Sequence, residues 1–132
     1  YFNHEGIIDT IEGADADLVC ADISNGVKYY EADIDPDGDP VAAIASHYLA
    51  QNTSARQLDT DIRMRHLLDL VEAYHVDCVI YYVLKFCDTN LHDYPYIKQA
   101  LRARNIPVLL IEGEHNASNI ASARTRIQTF LE

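Results

Sequence analysis

The sequence predicts an α/β domain in which a parallel sheet is flanked by helices. Residues 76–84 (VDCVIYYVL) and 107–111 (PVLLI) are apolar runs dense in β-branched and aromatic side chains. They lack the polar alternation of a half-exposed strand, which suits strands covered on both faces. Around them the apolar spacing changes to that of amphipathic helices, and strand–helix alternation is the pattern of parallel βαβ units. The layout expected is a three-layer parallel sheet flanked by helices, Rossmann-like or flavodoxin-like. At 132 residues it would form a single domain.

The elements follow in chain order. Residues 6–13 carry a helical pattern, and 18–23 (LVCADI) form a short apolar run, read as a first strand. Val41, Ile44, Ala45, Tyr48 and Leu49 fall on one helix face. Met64, Leu67, Leu68 and Val71 repeat that spacing, with Asp59, Thr60 and Asp61 available as N-cap. After the strand in 76–84, Pro95 fits the first turn of a helix through Ile97 and Leu101, with Asp93 as its cap. Ile120, Ile127, Phe130 and Leu131 mark a last helix. In such sheets ligands bind beyond the carboxyl ends of the strands. The loops at 24–28, 85–91 and 112–117 are therefore where a site is expected. The chain begins without methionine and stops within a helical pattern, the look of a domain from a larger subunit.

Charge and cysteine usage narrow the function. The net charge is −11, and residues 1–40 hold eleven acids against one base, Lys28. Such a surface repels nucleic acid and anionic membranes, and it reads as a solvated face. Lys85, Arg124 and Arg126 are the local bases that could meet a phosphate or carboxylate in a cleft. Three cysteines, Cys20, Cys78 and Cys87, stand in no CxxC spacing, so reduced thiols and a cytoplasmic location are expected. The first ten residues do not have the character of a signal peptide. The longest apolar stretch, 79–84, is too short to span a bilayer.

Several motifs have an ordinary explanation. Asp33-Ile34-Asp35-Pro36-Asp37-Gly38 begins like a calcium loop, but Ile44 stands where the bidentate glutamate belongs, so it reads as an acidic turn. His66, His75 and His115 have no metal-ligand spacing, and there is no GxGxxG, phosphate loop or GxSxG elbow. Cys20 and Cys78, both placed in strands, read as core. Lys85-Phe86-Cys87-Asp88 differs, because it puts a cysteine directly after the strongest strand. From placement alone, Cys87 is either a ligand or nucleophile or a buried packing residue.

Lys85-Phe86-Cys87-Asp88, Asp93-Tyr94-Pro95, Ile106-Pro107-Val108-Leu109, Glu112 and Thr125-Arg126-Ile127 together resemble one family. It is the iron–sulfur 2-hydroxyacyl-CoA dehydratase and benzoyl-CoA reductase family, with 2-hydroxyglutaryl-CoA dehydratase component D among its members. The likeness is to its C-terminal domain. A looser match covers Ala21-Asp22 through Gly26 and Lys28, then Asp39-Pro40 and Ala45 to Leu49.

The resemblance implies a subunit of a cytoplasmic, anaerobic lyase or reductase. Its members hold a 4Fe–4S cluster on cysteine thiolates between Rossmann-like domains, and reduce a CoA thioester by one electron to a ketyl radical. The partners implied are a homologous second subunit, an ATP-dependent iron–sulfur activator protein and an acyl-CoA substrate. Cys87 is the residue that carries over, as cofactor-binding cluster ligand; no catalytic residue carries over, and the remaining ligands would lie outside this chain. The fragment alone would be inactive.

The sequence departs from the family pattern where many relatives have cysteine, at Ser24 and Ser54. It departs also at Ala21, Lys28 and Ala121-Ser122. The serines favour an alternative, a cluster-poor accessory or electron-transfer subunit without its own catalysis. A flavodoxin-like binding domain with a chance motif is a third reading, disfavoured by the missing phosphate loop.

Overall fold

The two apolar runs form the sheet. The computed structural model describes residues 5–23, 30, 32–50, 54–55, 59–114 and 120–132. In it, β1 (Val79–Leu84) and β2 (Val108–Gly113) lie parallel, Val79 opposite Val108 and Leu84 opposite Gly113. Three helices precede the sheet: α1 (Glu5–Glu12), α2 (Pro40–Ala50) and α3 (Thr60–Ala73). Helix α4 (Asp88–Arg102) connects the strands, and α5 (Ile120–Leu131) follows β2.

Local chemistry sets most helix ends. Asp59 Oδ1 accepts from Ile62 N at 3.1 Å, capping α3. Asp39 Oδ1 accepts from Val41 N at 2.9 Å, and Pro40, whose missing N–H costs nothing at a first helical position, opens α2. At the far ends of α3 and α4, His75 and Asn105 adopt left-handed φ of 51° and 59°. Val76 N and Ile106 N then reach back to the Val71 and Leu101 carbonyls, both at 3.0 Å. These Schellman-type closures turn the chain from each helix towards the next strand.

Alternate strand residues point to opposite faces of the sheet, and each face builds its own core. Ile80, Tyr82, Leu109 and Ile111 pack with Ile7 and Ile11 of α1 and with Ala123 and Ile127 of α5. Val79, Tyr81 and Val108 pack with Val71 of α3 and with Ile97 and Leu101 of α4. Ile127 and Leu101 are fully buried, one in each core. Each such side chain contributes about 1.5–3 kcal/mol over its exposed state.

Four expectations change. Residues 18–23 form no strand, and Leu18 and Val19 are largely exposed. An apolar run supplies strand propensity but not a partner edge. Among the described residues the sheet therefore has two strands, short of the wider three-layer Rossmann-like sheet expected. Cys20 consequently lies in an irregular stretch, and Cys78 sits just ahead of β1; both are half-buried rather than core.

Helix α4 starts at Asp88 with Cys87 as N-cap, so Pro95 lies inside it and Asp93 does not cap it. The helix starts early because Leu91 N bonds the Cys87 carbonyl at 3.1 Å directly after the strand. Asp93 is instead taken by Arg63. Finally, α2 forms with its apolar face uncovered: it has no buried residue, and Val41, Ile44, Tyr48 and Leu49 are exposed.

Candidate functional site

The site grows from the carboxyl end of β1. Lys85 N donates to the Gly113 carbonyl at 2.8 Å, carrying the ladder one residue past the strand. Cys87 N then donates to the Leu84 carbonyl at 3.1 Å, which closes a four-residue turn with Lys85 and Phe86 at its centre. Phe86 takes a left-handed φ of 66°. For a bulky residue that conformation costs about 1–2 kcal/mol. Its ring gains nothing in return within this chain, since it is 92% exposed.

The turn delivers Cys87 as the N-cap of a 15-residue helix. Its sulfur caps no backbone N–H. Cys87 Sγ instead accepts from Asn90 Nδ2 at 3.1 Å and lies 3.8 Å from Thr89 Oγ1. Asn90 is held in turn: its carbonyl accepts from Tyr81 Oη at 3.1 Å, and the Tyr81 ring lies 5.5 Å from that of Tyr94. Burial first, and the Asp93 carboxylate next, push the Tyr81 hydroxyl up to about 12.

Asp93 takes three guanidinium hydrogen bonds from Arg63, at 2.8–3.0 Å. Arg63 also donates to the Asp59 carbonyl and to Thr60 Oγ1. The pair is 8% and 13% exposed, and it ties α3 to the first half of α4. A fork-like guanidinium matched to a carboxylate is the geometry that makes a buried ion pair tolerable.

At the same end of the sheet, Lys85 Nζ donates to Glu114 Oε1. That hydrogen bond and the Glu114 charge raise the lysine pKa, with Glu112 adding to the effect. Gly113, between the two acids, leaves room for Tyr82, whose hydroxyl a Cβ there would overlap.

Cys87 and the Lys85–Glu114 pair thus both follow the strand ends, while α4 takes residues 88–91 of the expected 85–91 loop and β2 takes 112–113 of the expected 112–117 loop. Glu112 stays exposed within β2. Arg126, expected as a free cleft base, donates to the Leu110 carbonyl at 2.8 Å. Ser54 lies on an exposed bend beyond α2. Ser24, Lys28 and His115, with the rest of the 24–28 and 115–117 loops, fall outside the described residues.

Burial, helped by Asp22 for Cys20 and Asp77 for Cys78, raises the pKa of these two thiols. The acidic turn is spent on itself, Asp35 Oδ1 accepting from Asp37 N at 2.9 Å. A groove of about 420 Å³ lies between that turn and α2, lined by Asp35, Asp37, Asp39 and His47 and not by Cys87. Sequence reasoning missed Asn90, Tyr81 and the Arg63–Asp93 pair. The Cys-x-x-Asn spacing at a helix start was the available signal for Asn90, because residues three apart share a helix face.

Chemically, a half-buried sulfur at a strand end, facing an amide donor, suits a soft metal that binds thiolate. Among the described residues no three His, Cys, Asp or Glu side chains converge. Cys87 is a residue of the type that could serve an iron–sulfur cluster as one ligand.

The family model for 2-hydroxyglutaryl-CoA dehydratase, D-component, matches residues 1–132. Among similar proteins, the (R)-phenyllactyl-CoA dehydratase beta subunit of Clostridium sporogenes is 26% identical over 128 residues, which are 97% of this chain and 34% of that protein. A protein of Escherichia coli strain K12 described as dehydratase subunit YjiM is 31% identical over 129 residues, 97% of this chain and 33% of its own length. The beta subunit of (R)-2-hydroxyglutaryl-CoA dehydratase from Acidaminococcus fermentans is 24% identical over 136 residues, 99% of this chain and 36% of its own length. The chain thus spans about a third of the length of these curated relatives. It belongs to the 2-hydroxyglutaryl-CoA dehydratase D-component family.

Proposed function

We propose, from this membership, that the chain is the C-terminal domain of a cytoplasmic (R)-2-hydroxyacyl-CoA dehydratase or benzoyl-CoA reductase-like subunit, with Cys87 as a ligand of its 4Fe–4S cluster. The names of the similar proteins, which include dehydratases of phenyllactyl-CoA and 2-hydroxyglutaryl-CoA, support an acyl-CoA substrate. The beta-subunit names support a second, homologous subunit as partner. An ATP-dependent iron–sulfur activator completes the assembly proposed. Bound iron–sulfur cluster would supply one-electron reduction of the thioester towards a ketyl radical.

This chain's own part is to hold and shelter one ligand. The observation that carries the reading is the position of Cys87 Sγ, set by the Leu84–Cys87 turn at the carboxyl end of β1 rather than within either core. Ligand sites of open parallel sheets lie at that end. The two-stranded sheet would then be a portion of a larger Rossmann-like sheet completed by further chain.

The test is iron and sulfide content with electron paramagnetic resonance on the whole polypeptide purified without oxygen. Wild type is expected to hold a four-iron cluster and Cys87→Ser to lose or degrade it. Wild type without iron under those conditions would sink the cluster reading. It would favour the accessory-subunit alternative, to which the serines at positions 24 and 54 point.

A further inference from the structure

We propose that Asn90 is a positioning residue for Cys87, and that its side-chain amide tunes the electron affinity of whatever iron the sulfur holds. This rests on the cluster reading above. Four features of the turn lead to it.

Asn90 occupies the third position of α4, counting from the Cys87 cap. A polar side chain at that position commonly reaches back to the backbone N–H of the cap residue. Here that N–H is already used, because Cys87 N donates to the Leu84 carbonyl at 3.1 Å. The Asn90 amide is left to meet the sulfur, and it does so at 3.1 Å.

The backbone under Asn90 is fixed from two directions. Tyr81 Oη donates to the Asn90 carbonyl at 3.1 Å, and Leu91 N donates to the Cys87 carbonyl at 3.1 Å. The amide therefore approaches the sulfur from a backbone locked to β1 on one side and to the cap on the other. Thr89 Oγ1, at 3.8 Å, is a weaker second neighbour.

The physical consequence has a definite sign. An N–H aimed at a ligating thiolate withdraws negative charge from the sulfur. It stabilises the reduced, more negative form of a cluster more than the oxidised form, so the potential rises. Removing the donor must lower it. The bond also holds the sulfur on one side of the helix start, away from the helix N–H groups it could otherwise cap.

Potentiometric titration followed by electron paramagnetic resonance, on the oxygen-free whole polypeptide, tests this with wild type, Asn90→Leu, Asn90→Asp and Cys87→Ser. Asn90→Leu deletes the donor at similar volume. Asn90→Asp keeps the shape and places an acid in the first helical turn, where the helix dipole favours it, so this variant is expected to stay folded, which its melting temperature checks.

At a fixed solution potential near the wild-type midpoint, the reduced-to-oxidised ratio is expected to fall about tenfold in Asn90→Leu, equivalent to about 59 mV for one electron. It is expected to fall further in Asn90→Asp. Iron lost from both variants at unchanged melting temperature would also support the assignment. A Cys87-dependent cluster with the same midpoint in all Asn90 forms overturns the Asn90 assignment and leaves the cluster reading standing. Wild type without a cluster, or a cluster unaffected by Cys87→Ser, overturns both.

Discussion

The two faces of the sheet are closed by different means. Between the sheet and α1 and α5 the packing is mainly apolar: Thr10, the buried polar residue there, bonds back to the Gly6 carbonyl of its own helix, and Arg126 of α5 donates to the Leu110 carbonyl of β2 at the exposed margin. Between the sheet and α3 and α4 an apolar cluster of similar make-up is joined by polar contacts that cross elements: Arg63 to Asp93, Tyr81 to Asn90, and Asn90 to Cys87. Non-directional burial is enough to hold a helix against a sheet. Fixing one sulfur atom needs hydrogen bonds, whose energy depends on direction. The face that carries the candidate site has the bonds that lead to the sulfur.

Separate cores predict independent losses, which is the severest test of this contrast. Leu101→Ala and Ile127→Ala each empty a fully buried position, and each is expected to cost about 2–5 kcal/mol in urea unfolding. Combined, the two losses should add to within about 0.5 kcal/mol. A clear departure from additivity would show that the sheet couples its faces.

The polar face is tested next. Arg63→Met strands the Asp93 carboxylate and is expected to cost about 3 kcal/mol. Adding Asp93→Leu should recover most of that loss, because no lone charge then remains buried. Failure to recover would mean that the pair contributes more than mutual neutralisation.

Tyr81 links the polar contacts to pH. Its folded pKa of about 12 lies above the value of about 10 for a free tyrosine. The native state keeps a proton that the unfolded chain loses. The resulting stability is complete below pH 10 and lost as pH rises from 10 to 12. Solvent screening reduces it to about 1–2 kcal/mol. Stability curves of wild type and Tyr81→Phe should therefore converge over that interval, and parallel curves would refute the assignment.

The smallest effect runs the other way. Phe86→Gly relieves a left-handed φ at the loss of little buried area, and should stabilise the fold by about 0.5–1 kcal/mol net of the added glycine entropy. No gain on thermal melting would mean that the turn holds Phe86 without strain.

Much of this was legible in the sequence because it is local. The β-branched runs around Val79 and Val108 gave two strands, and apolar spacing marked all five helices among the described residues. Asp59 capped the helix it precedes. Cys87 stood after a strand whatever the helix did next. The failures were equally physical. Residues 18–23 had the composition of a strand, but pairing requires an edge to pair with. Asp93-Tyr94-Pro95 had the composition of a helix start, yet a helix nucleated seven residues earlier could run through the proline, forgoing the hydrogen bond its nitrogen cannot donate.

By itself, then, the sequence determined where the described helices and the two described strands lie, though not every boundary, and that a cysteine follows the strongest strand, since propensity, capping and periodicity act over a few residues. Only the tertiary structure decided that Arg63 meets Asp93 thirty residues on, that the Asn90 amide turns to the sulfur, and that the apolar face of α2 is left open. Those outcomes depend on the parallel register of β1 and β2 and on how α3 and α4 lie across it. They are relations between distant residues, and no spacing along the chain encodes the angle at which two side chains meet.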